Sequence, residues 1–327
     1  MKVWDSQLIL KKMKILNFYQ LGEFFEKNQN KNIGLSLAFK EQSKSDFHLL
    51  SKEFIKSKFK IRDKFSHKGT YGHALIISGS IGKMGACVLS TKAALRSGVG
   101  LVTTFVPKCG LEILQTTNPE AMCELSSDKN YLAGDLNWKK YNAIGIGPGI
   151  GKEIKTMQVI EHLFAHYDGP LVIDADALNL ISEYDSLFDK IPKNAVLTPH
   201  PKEFDRLFGR SESTEQRLIK QRASSKKLAC YILLKGAHTS ISTPEGCVYI
   251  NNTGNSGMAK GGSGDVLTGL ITGLLAQGYS PLDASLIGVW IHGLAGDFAK
   301  QKKNEITMTA IDLIDGFTDA FSSSISL

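Results

Sequence analysis

The chain has 327 residues, 42% hydrophobic and 22% charged, and 39 basic against 32 acidic side chains give it a net charge of +7. This is an ordinary soluble globular balance, long enough for one large α/β domain or two small ones. It excludes a membrane-spanning helix, since no apolar run reaches roughly 18 residues. It offers no aromatic-interleaved basic patch for nucleic acid, and the mild basic excess suits small anionic ligands such as nucleotides.

Residues 1–60 differ in texture from the rest of the chain. They are rich in Lys, Asn, Gln, Ser and Phe, with glycine only at Gly22 and Gly34. The opening MKVWDSQLILKKMK carries Asp5 within its apolar stretch and lacks a small-residue cleavage site, so it makes a poor signal peptide. Phe24, Phe25, Leu35, Phe39, Phe47, Leu49, Leu50 and Phe54 have some helical spacing but define no clear core. The segment is expected to be an extension, docked on a self-sufficient domain spanning 61–327 or partly disordered.

From His67 the pattern becomes regular. His73 to Ser78 reads as a strand ending in a glycine turn, Ala86 to Arg96 as a helix stopped by Gly98, and LVTTFVP as the next strand. Strand, crossover helix and strand imply a parallel sheet. Cys109 to Thr117 reads as a helix. YNAIGIGPGIG is a buried strand running into a Gly-Pro-Gly turn, with a helix near Ile154 to Ala165 after it. GPLVIDADALNLI ends a strand at Asp174 and Asp176, and NAVLTPHPKEF ends one at Thr198, Pro199 and His200. CYILLKGAHTSISTPEGCVYIN holds a strand to Leu234, a turn from Lys235 to Thr239, and a hairpin across Glu245 and Gly246. Helices over Pro281 to Lys300 and from Thr309 close the chain. The alternation favours one doubly wound α/β domain, whose ligands bind outside the carboxyl ends of the strands.

One stretch concentrates the chemistry: NNTGNSGMAKGGSGDVLTG, residues 251–269. Its glycines end where an apolar helix begins. Inward-facing N–H groups and a helix N-terminus together form an anion site, most often for phosphate. An acid there, Asp265, suits a base that frees a hydroxyl to attack phosphorus. The same residue suits a helix N-cap, and the motif alone leaves the two readings level. Five cysteines, Cys87, Cys109, Cys123, Cys230 and Cys247, are widely spaced without a CxxC. They form neither a zinc signature nor a disulfide framework, and free thiols point to a reducing compartment, the cytoplasm.

Taken in order, Gly82-Lys83-Met84-Gly85-Ala86, Gly147-Pro148-Gly149-Ile150-Gly151, Asp174-Ala175-Asp176, Leu197-Thr198-Pro199-His200, Lys235-Gly236-Ala237 and Gly262-Ser263-Gly264-Asp265 resemble the NAD(P)H-hydrate dehydratase family. The resemblance covers about residues 60–325, and the Leu-Thr-Pro-His version is similar to the ADP-dependent bacterial branch. It implies a ribokinase-like α/β fold, a doubly wound, mostly parallel sheet flanked by helices. It implies Asp265 as the catalytic base, the amides of Gly262, Ser263 and Gly264 as an anion hole, and Lys235, Gly236, Ala237, His238, Thr239 and Gly264 as the nucleotide site. Ala86, Gly149, His200 and Asp265 would bind the hydrated dinucleotide. As residues alone, Ala86 fits a helix core, Gly149 a turn and His200 a place beside a helix N-cap; Asp174 and Asp176 stay outside the candidate set.

The resemblance further implies ADP as co-substrate, a magnesium ion with no assigned ligands, hydrated NADH or NADPH as partner and a homo-oligomer, with neither nucleic acid nor membrane involved. Residues 32–64 are similar to the tail and linker of an epimerase domain that precedes many bacterial relatives, and epimerase activity is expected to be absent. Two other readings stand beside this one. A small-molecule kinase of the hydroxymethylpyrimidine or hydroxyethylthiazole type shares Gly-x-Gly-Asp, and a non-catalytic nucleotide-binding protein would keep the loop without the chemistry.

Overall fold

In the computed structural model, residues 46–325 are described. They form a single ten-stranded sheet in the order β1-β10-β9-β8-β7-β6-β5-β2-β3-β4. From one end these are β1 (Phe47–Leu49), β10 (Val248–Ile250), β9 (Ser240–Ser242), β8 (Tyr231–Leu234), β7 (Val196–Leu197), β6 (Leu171–Ile173), β5 (Ala143–Ile146), β2 (His73–Ile77), β3 (Leu101–Val106) and β4 (Met122–Leu125). All neighbouring pairs are parallel except those β9 makes with β8 and β10. The expected doubly wound, mostly parallel sheet is therefore present, and its antiparallel part comes from the turn at Lys235 to Thr239 between β8 and β9 and the hairpin across Gly246 between β9 and β10.

Alternate residues of each central strand feed opposite cores, as a period of two requires. Leu171 and Ile173 join one apolar cluster with Leu75, Ile77, Ile144, Ile146, Leu197 and Ile232. On that face lie α4 (Ile154–His166), α5 (Ala175–Glu183), α6 (Asp185–Phe188) and α7 (Pro201–Phe208). Val172 points the other way, with Ala74, Ala143, Val196 and Leu233. There the cover is α9 (Ser263–Ala276), α10 (Pro281–Lys303), α11 (Ala310–Asp315) and α12 (Phe317–Ile325). Helix α2 (Met84–Leu95) packs against α9, and a Cβ on Gly269 would lie 1.9 Å from the Ser90 carbonyl oxygen. Only glycine allows that approach.

Residues 46–60, within the extension expected over 1–60, are joined to the domain by a strand and a helix. Strand β1 extends the sheet beside β10, and α1 (Lys52–Lys56) packs on α10 and α12. Leu50 and Ile55 are fully buried in the core of α9 and α10. Composition missed this because three strand residues and one helical turn give too short a periodic signal. Phe24, Phe25, Leu35 and Phe39 lie outside the described residues. Strand β4 and the helices α3 (Leu111–Thr117) and α8 (Thr214–Leu228) complete the domain.

Candidate active site

The chain order of the strands reverses between β2 and β5: β3 and β4 lie to one side, β6, β7 and β8 to the other. Such a switch point opens a crevice at the carboxyl ends of the strands. The loops after β2 and β5 meet there. Ser78 Oγ donates to the Pro148 carbonyl at 2.5 Å and Ser80 Oγ to the Gly149 carbonyl at 2.8 Å. A Cβ on Gly149 would lie 3.0 Å from Ala86 Cβ, so these two expected substrate residues are neighbours. Asp176 ties the loops together, accepting from the Gly151 N–H at 2.9 Å and Lys83 Nζ at 3.1 Å.

The N-terminus of α9 closes the crevice. Gly262 is its N-cap, in a left-handed conformation with φ 94, and no side chain caps the helix. Asp265 is therefore the third residue inside the helix, and the N-cap reading of it falls. Its carboxylate has no hydrogen bond or ion pair among the described residues. The N–H groups of Gly262, Gly264 and Asp265 also have no partner among the described residues, while that of Ser263 leans on the Lys260 carbonyl at 3.4 Å.

Behind Asp265 stands a buried ion pair. Asp174, 1% exposed at the end of β6, accepts from Lys235 Nζ at 2.7 Å and from Thr268 Oγ1 at 2.7 Å. Thr268 is one helical turn beyond Asp265. A Cβ on Gly264 would lie 3.3 Å from Lys235 Nζ and 3.7 Å from Asp174 Oδ2, so glycine leaves the ammonium room against the helix start. Burial, reinforced by the Asp174 charge and opposed by Lys235, pushes the Asp265 carboxyl up to about 7. A helix N-terminus ordinarily favours the ionised form; here desolvation and a like charge prevail.

His200 is the N-cap of α7. Its Nδ1 accepts from the N–H groups of Lys202 at 3.1 Å and Glu203 at 3.4 Å, while the buried Glu203 carboxylate accepts from the His200 N–H at 2.8 Å. The bland reading of His200 is thus present in the structure, yet the ring remains 45% exposed at the strand end. Burial, with Lys235 and Arg206 nearby, lowers its pKa, which keeps Nδ1 free to accept. The turn after β8 is stitched to this loop by the Lys235 N–H, which donates to the Pro199 carbonyl at 3.0 Å. Of the residues Lys235 to Thr239, only Lys235 bonds to the acidic centre among the described residues; Gly236 and Ala237 are exposed.

Sequence reasoning omitted three residues that the fold brings here. Asp174 and Asp176 carried a signal, their place at a strand end. His292 carried only a faint one, an imidazole inside the apolar run of α10. Its Nε2 lies 2.9 Å from the Ser263 carbonyl oxygen. Among the described residues, no three His, Cys, Asp or Glu side chains are grouped to hold a metal. Asp174 has both oxygens on protein donors and Asp176 has Oδ2 on two, so a magnesium ion here would be held chiefly by phosphate oxygens and water, as that ion commonly is.

Comparison with known proteins identifies the family and the fold. The sequence profile of the NAD(P)H-hydrate dehydratase family matches residues 74–318. The chain is 38% identical over 277 residues to the bifunctional NAD(P)H-hydrate repair enzyme of Moorella thermoacetica, covering 82% of this chain and 52% of that one. It spans about half the length of the first curated relatives it matches. The structure of the ADP/ATP-dependent NAD(P)H-hydrate dehydratase from Bacillus subtilis, co-crystallised with ATP and Mg2+, superposes with a TM-score of 0.75 at 31% identity, over 85% of this chain and 98% of that one. A ribokinase-like superfamily protein from Enterococcus faecalis gives 0.73 at 27% identity, over 86% and 98%. The fold is ribokinase-like, and the chain belongs to the NAD(P)H-hydrate dehydratase family.

Proposed function

We propose that this chain catalyses the ADP-dependent dehydration of the (S)-hydrate of NADH or NADPH, giving the restored dinucleotide, AMP and phosphate. The observation that carries the reading is the unpartnered Asp265 carboxylate beside the open amides of α9. The hydrated ring would lie over Ala86, Gly149 and His200, and the nucleotide over Lys235 to Thr239 and Gly264. Asp265 takes the proton of the substrate hydroxyl, whose oxygen attacks the terminal phosphorus of ADP; the bond from that phosphorus to the bridging oxygen breaks and AMP departs. The N–H groups at the start of α9 and Lys235 Nζ meet the charge on the phosphoryl oxygens, an effect typically worth about 3–4 kcal/mol per donor. The ring nitrogen's lone pair then expels phosphate, and loss of a ring proton restores the dihydronicotinamide. A magnesium ion on the nucleotide supplies charge neutralisation when bound.

The dehydratase unit, in this reading, begins by Asp46 and includes β1 and α1. No helix among the described residues is long and apolar enough to cross a membrane. Cytoplasmic residence is part of the proposal and is supported by five cysteines that are all unpaired. So is a homo-oligomer, for which the half-exposed Met122 and Leu125 at the β4 edge offer an apolar surface. Light scattering at assay concentration tests that part, and a monomeric mass removes it.

The test of the activity is purified protein with hydrated NADH, monitored by the absorbance of the restored dihydronicotinamide. Restoration should require nucleotide, with ADP better than ATP. Equal rates without nucleotide, or phosphorylation of a vitamin precursor in its place, would overturn the reading.

A further inference from the structure

Helix α10 backs the whole glycine-rich loop. The Val289 and Trp290 carbonyls accept from Asn251 Nδ2 at 3.5 Å and Thr253 Oγ1 at 3.1 Å. Asp297 accepts from the Gly254 N–H at 2.9 Å and Asn255 Nδ2 at 3.0 Å. A Cβ on Gly293 would lie 2.7 Å from the Thr253 carbonyl carbon, so the two backbones are in contact. Between these anchors His292 reaches the first residue of α9. Its Nε2 lies 2.9 Å from the Ser263 carbonyl oxygen, which carries no proton, so the ring is the donor and its neutral form is the Nε2–H tautomer. Burial pushes the pKa of the ring down to about 4, against the Ser263 hydrogen bond and with Lys235 adding to the fall, so the donor stays neutral through the working range of pH.

The Ser263 carbonyl and the Gly264 N–H belong to one peptide unit. That unit is planar and trans, so the two groups point in opposite directions. With His292 at the carbonyl, the Gly264 N–H faces away from the His292 ring. It has no partner among the described residues, and Lys235 Nζ and Asp174 Oδ2 stand beside the Gly264 Cα. A donor on the carbonyl of a peptide polarises its N–H, and hydrogen bonds in a chain strengthen one another. In a regular helix the same oxygen also accepts from the N–H four residues on, so His292 adds a second donor to it.

We infer that His292 is a positioning residue for the phosphoryl step: through the Ser263–Gly264 peptide it sets the aim and strengthens the donation of the Gly264 N–H toward the transferring group. The inference rests on the dehydratase reading of the site. Because the gain is realised as charge develops on phosphorus, it acts on turnover more than on nucleotide affinity.

Three variants separate this role from packing. In His292→Leu the donor is gone; in His292→Gln an amide N–H reaches the former Nε2 position; in His292→Asn it ends short of the Ser263 oxygen. The expected result is a fall of roughly tenfold in kcat for Leu and Asn, within the loss typical of a removed oxyanion donor or below it, with KM for ADP and ADP affinity by calorimetry within about twofold. Gln should recover most of kcat. The 1H and 15N shifts of the Gly264 amide in the free protein should move upfield in Leu and Asn and return in Gln. If Leu fails to fold, the contrast between Gln and Asn carries the test. Full kcat in Leu or Asn, or equal losses in Asn and Gln, would overturn the inference. Inactive wild-type protein would overturn the dehydratase reading instead, and the Gly264 shifts would still decide whether His292 acts on that peptide.

Discussion

At the scale of single residues, Asp265 holds opposing demands in one carboxylate. Its place at the start of α9 favours ionisation, while burial and Asp174 raise its pKa to about 7. A base of that strength is half-ionised near neutrality and still has driving force to take a proton. The kcat/KM profile should therefore show an acid limb with an apparent pKa near 7, falling about tenfold per unit below it and flat above. A profile flat to pH 5 would exclude Asp265 as the base. Replacement by asparagine should slow turnover by roughly two to four orders of magnitude while nucleotide binding survives.

The same replacement should raise stability. The folded chain binds the Asp265 proton more tightly than the unfolded chain, so stability falls as pH rises from about 3.8 towards 7. Asp265→Asn removes that loss, and Tm should increase by a few degrees above pH 7, with the gain vanishing near pH 4. A lower Tm at pH 8 would show that the carboxylate stabilises the helix start after all. Asp265 was legible because its glycines surround it in sequence. Asp174 showed only its place at a strand end and His292 less, because their roles depend on partners 61 residues away at Lys235 and 29 residues away at Ser263.

Among the secondary-structure elements, the first two described carry a stability prediction. Leu50 comes directly after β1 and Ile55 sits in α1, and both are buried to 1% or less. Ile55→Ala should cost about 2–5 kcal/mol, because the transfer loss adds to a cavity that the rigid sheet edge cannot close. Denaturant unfolding checks the size. A chain begun at Arg62 should lose cooperativity in the same experiment, whereas one begun at Asp46 should unfold as the full chain does. Equal midpoints for the two would show that β1 and α1 are ornament on the core. The remaining elements were legible to different degrees. Crossover helices and buried strands announce themselves through apolar periodicity and glycine stops. Strand β4 does not, because Met122–Leu125 is short and half-exposed on the sheet edge. Helix α8 buries only Leu218, Gln221 and Ser225, so its apolar stripe is too thin to register.

For the molecule as a whole, the crevice lies at the carboxyl ends of the inner strands of one sheet, and ligand binding should stabilise the entire described domain. At ADP about a hundredfold above its Kd, unfolding free energy should rise by about 2.7 kcal/mol in wild type and in Asp265→Asn alike. A thermal shift seen in wild type and lost in Asp265→Asn would place the carboxylate in nucleotide binding rather than in the chemical step.

The amino-acid sequence by itself determined the α/β alternation, the order of the loops at the strand ends, and the glycine stretch with its acid. These are local properties: periodicity, turn chemistry and the glycines of a helix start are written in neighbouring residues. Which loops meet was decided by the sheet. The strand order reverses between β2 and β5, which brings Ala86 against Gly149, and it sets β6 and β8 on either side of β7, which brings Lys235 against Asp174. The charge state of Asp265 was decided the same way, because desolvation and a neighbouring carboxylate exist only once distant segments have packed around it.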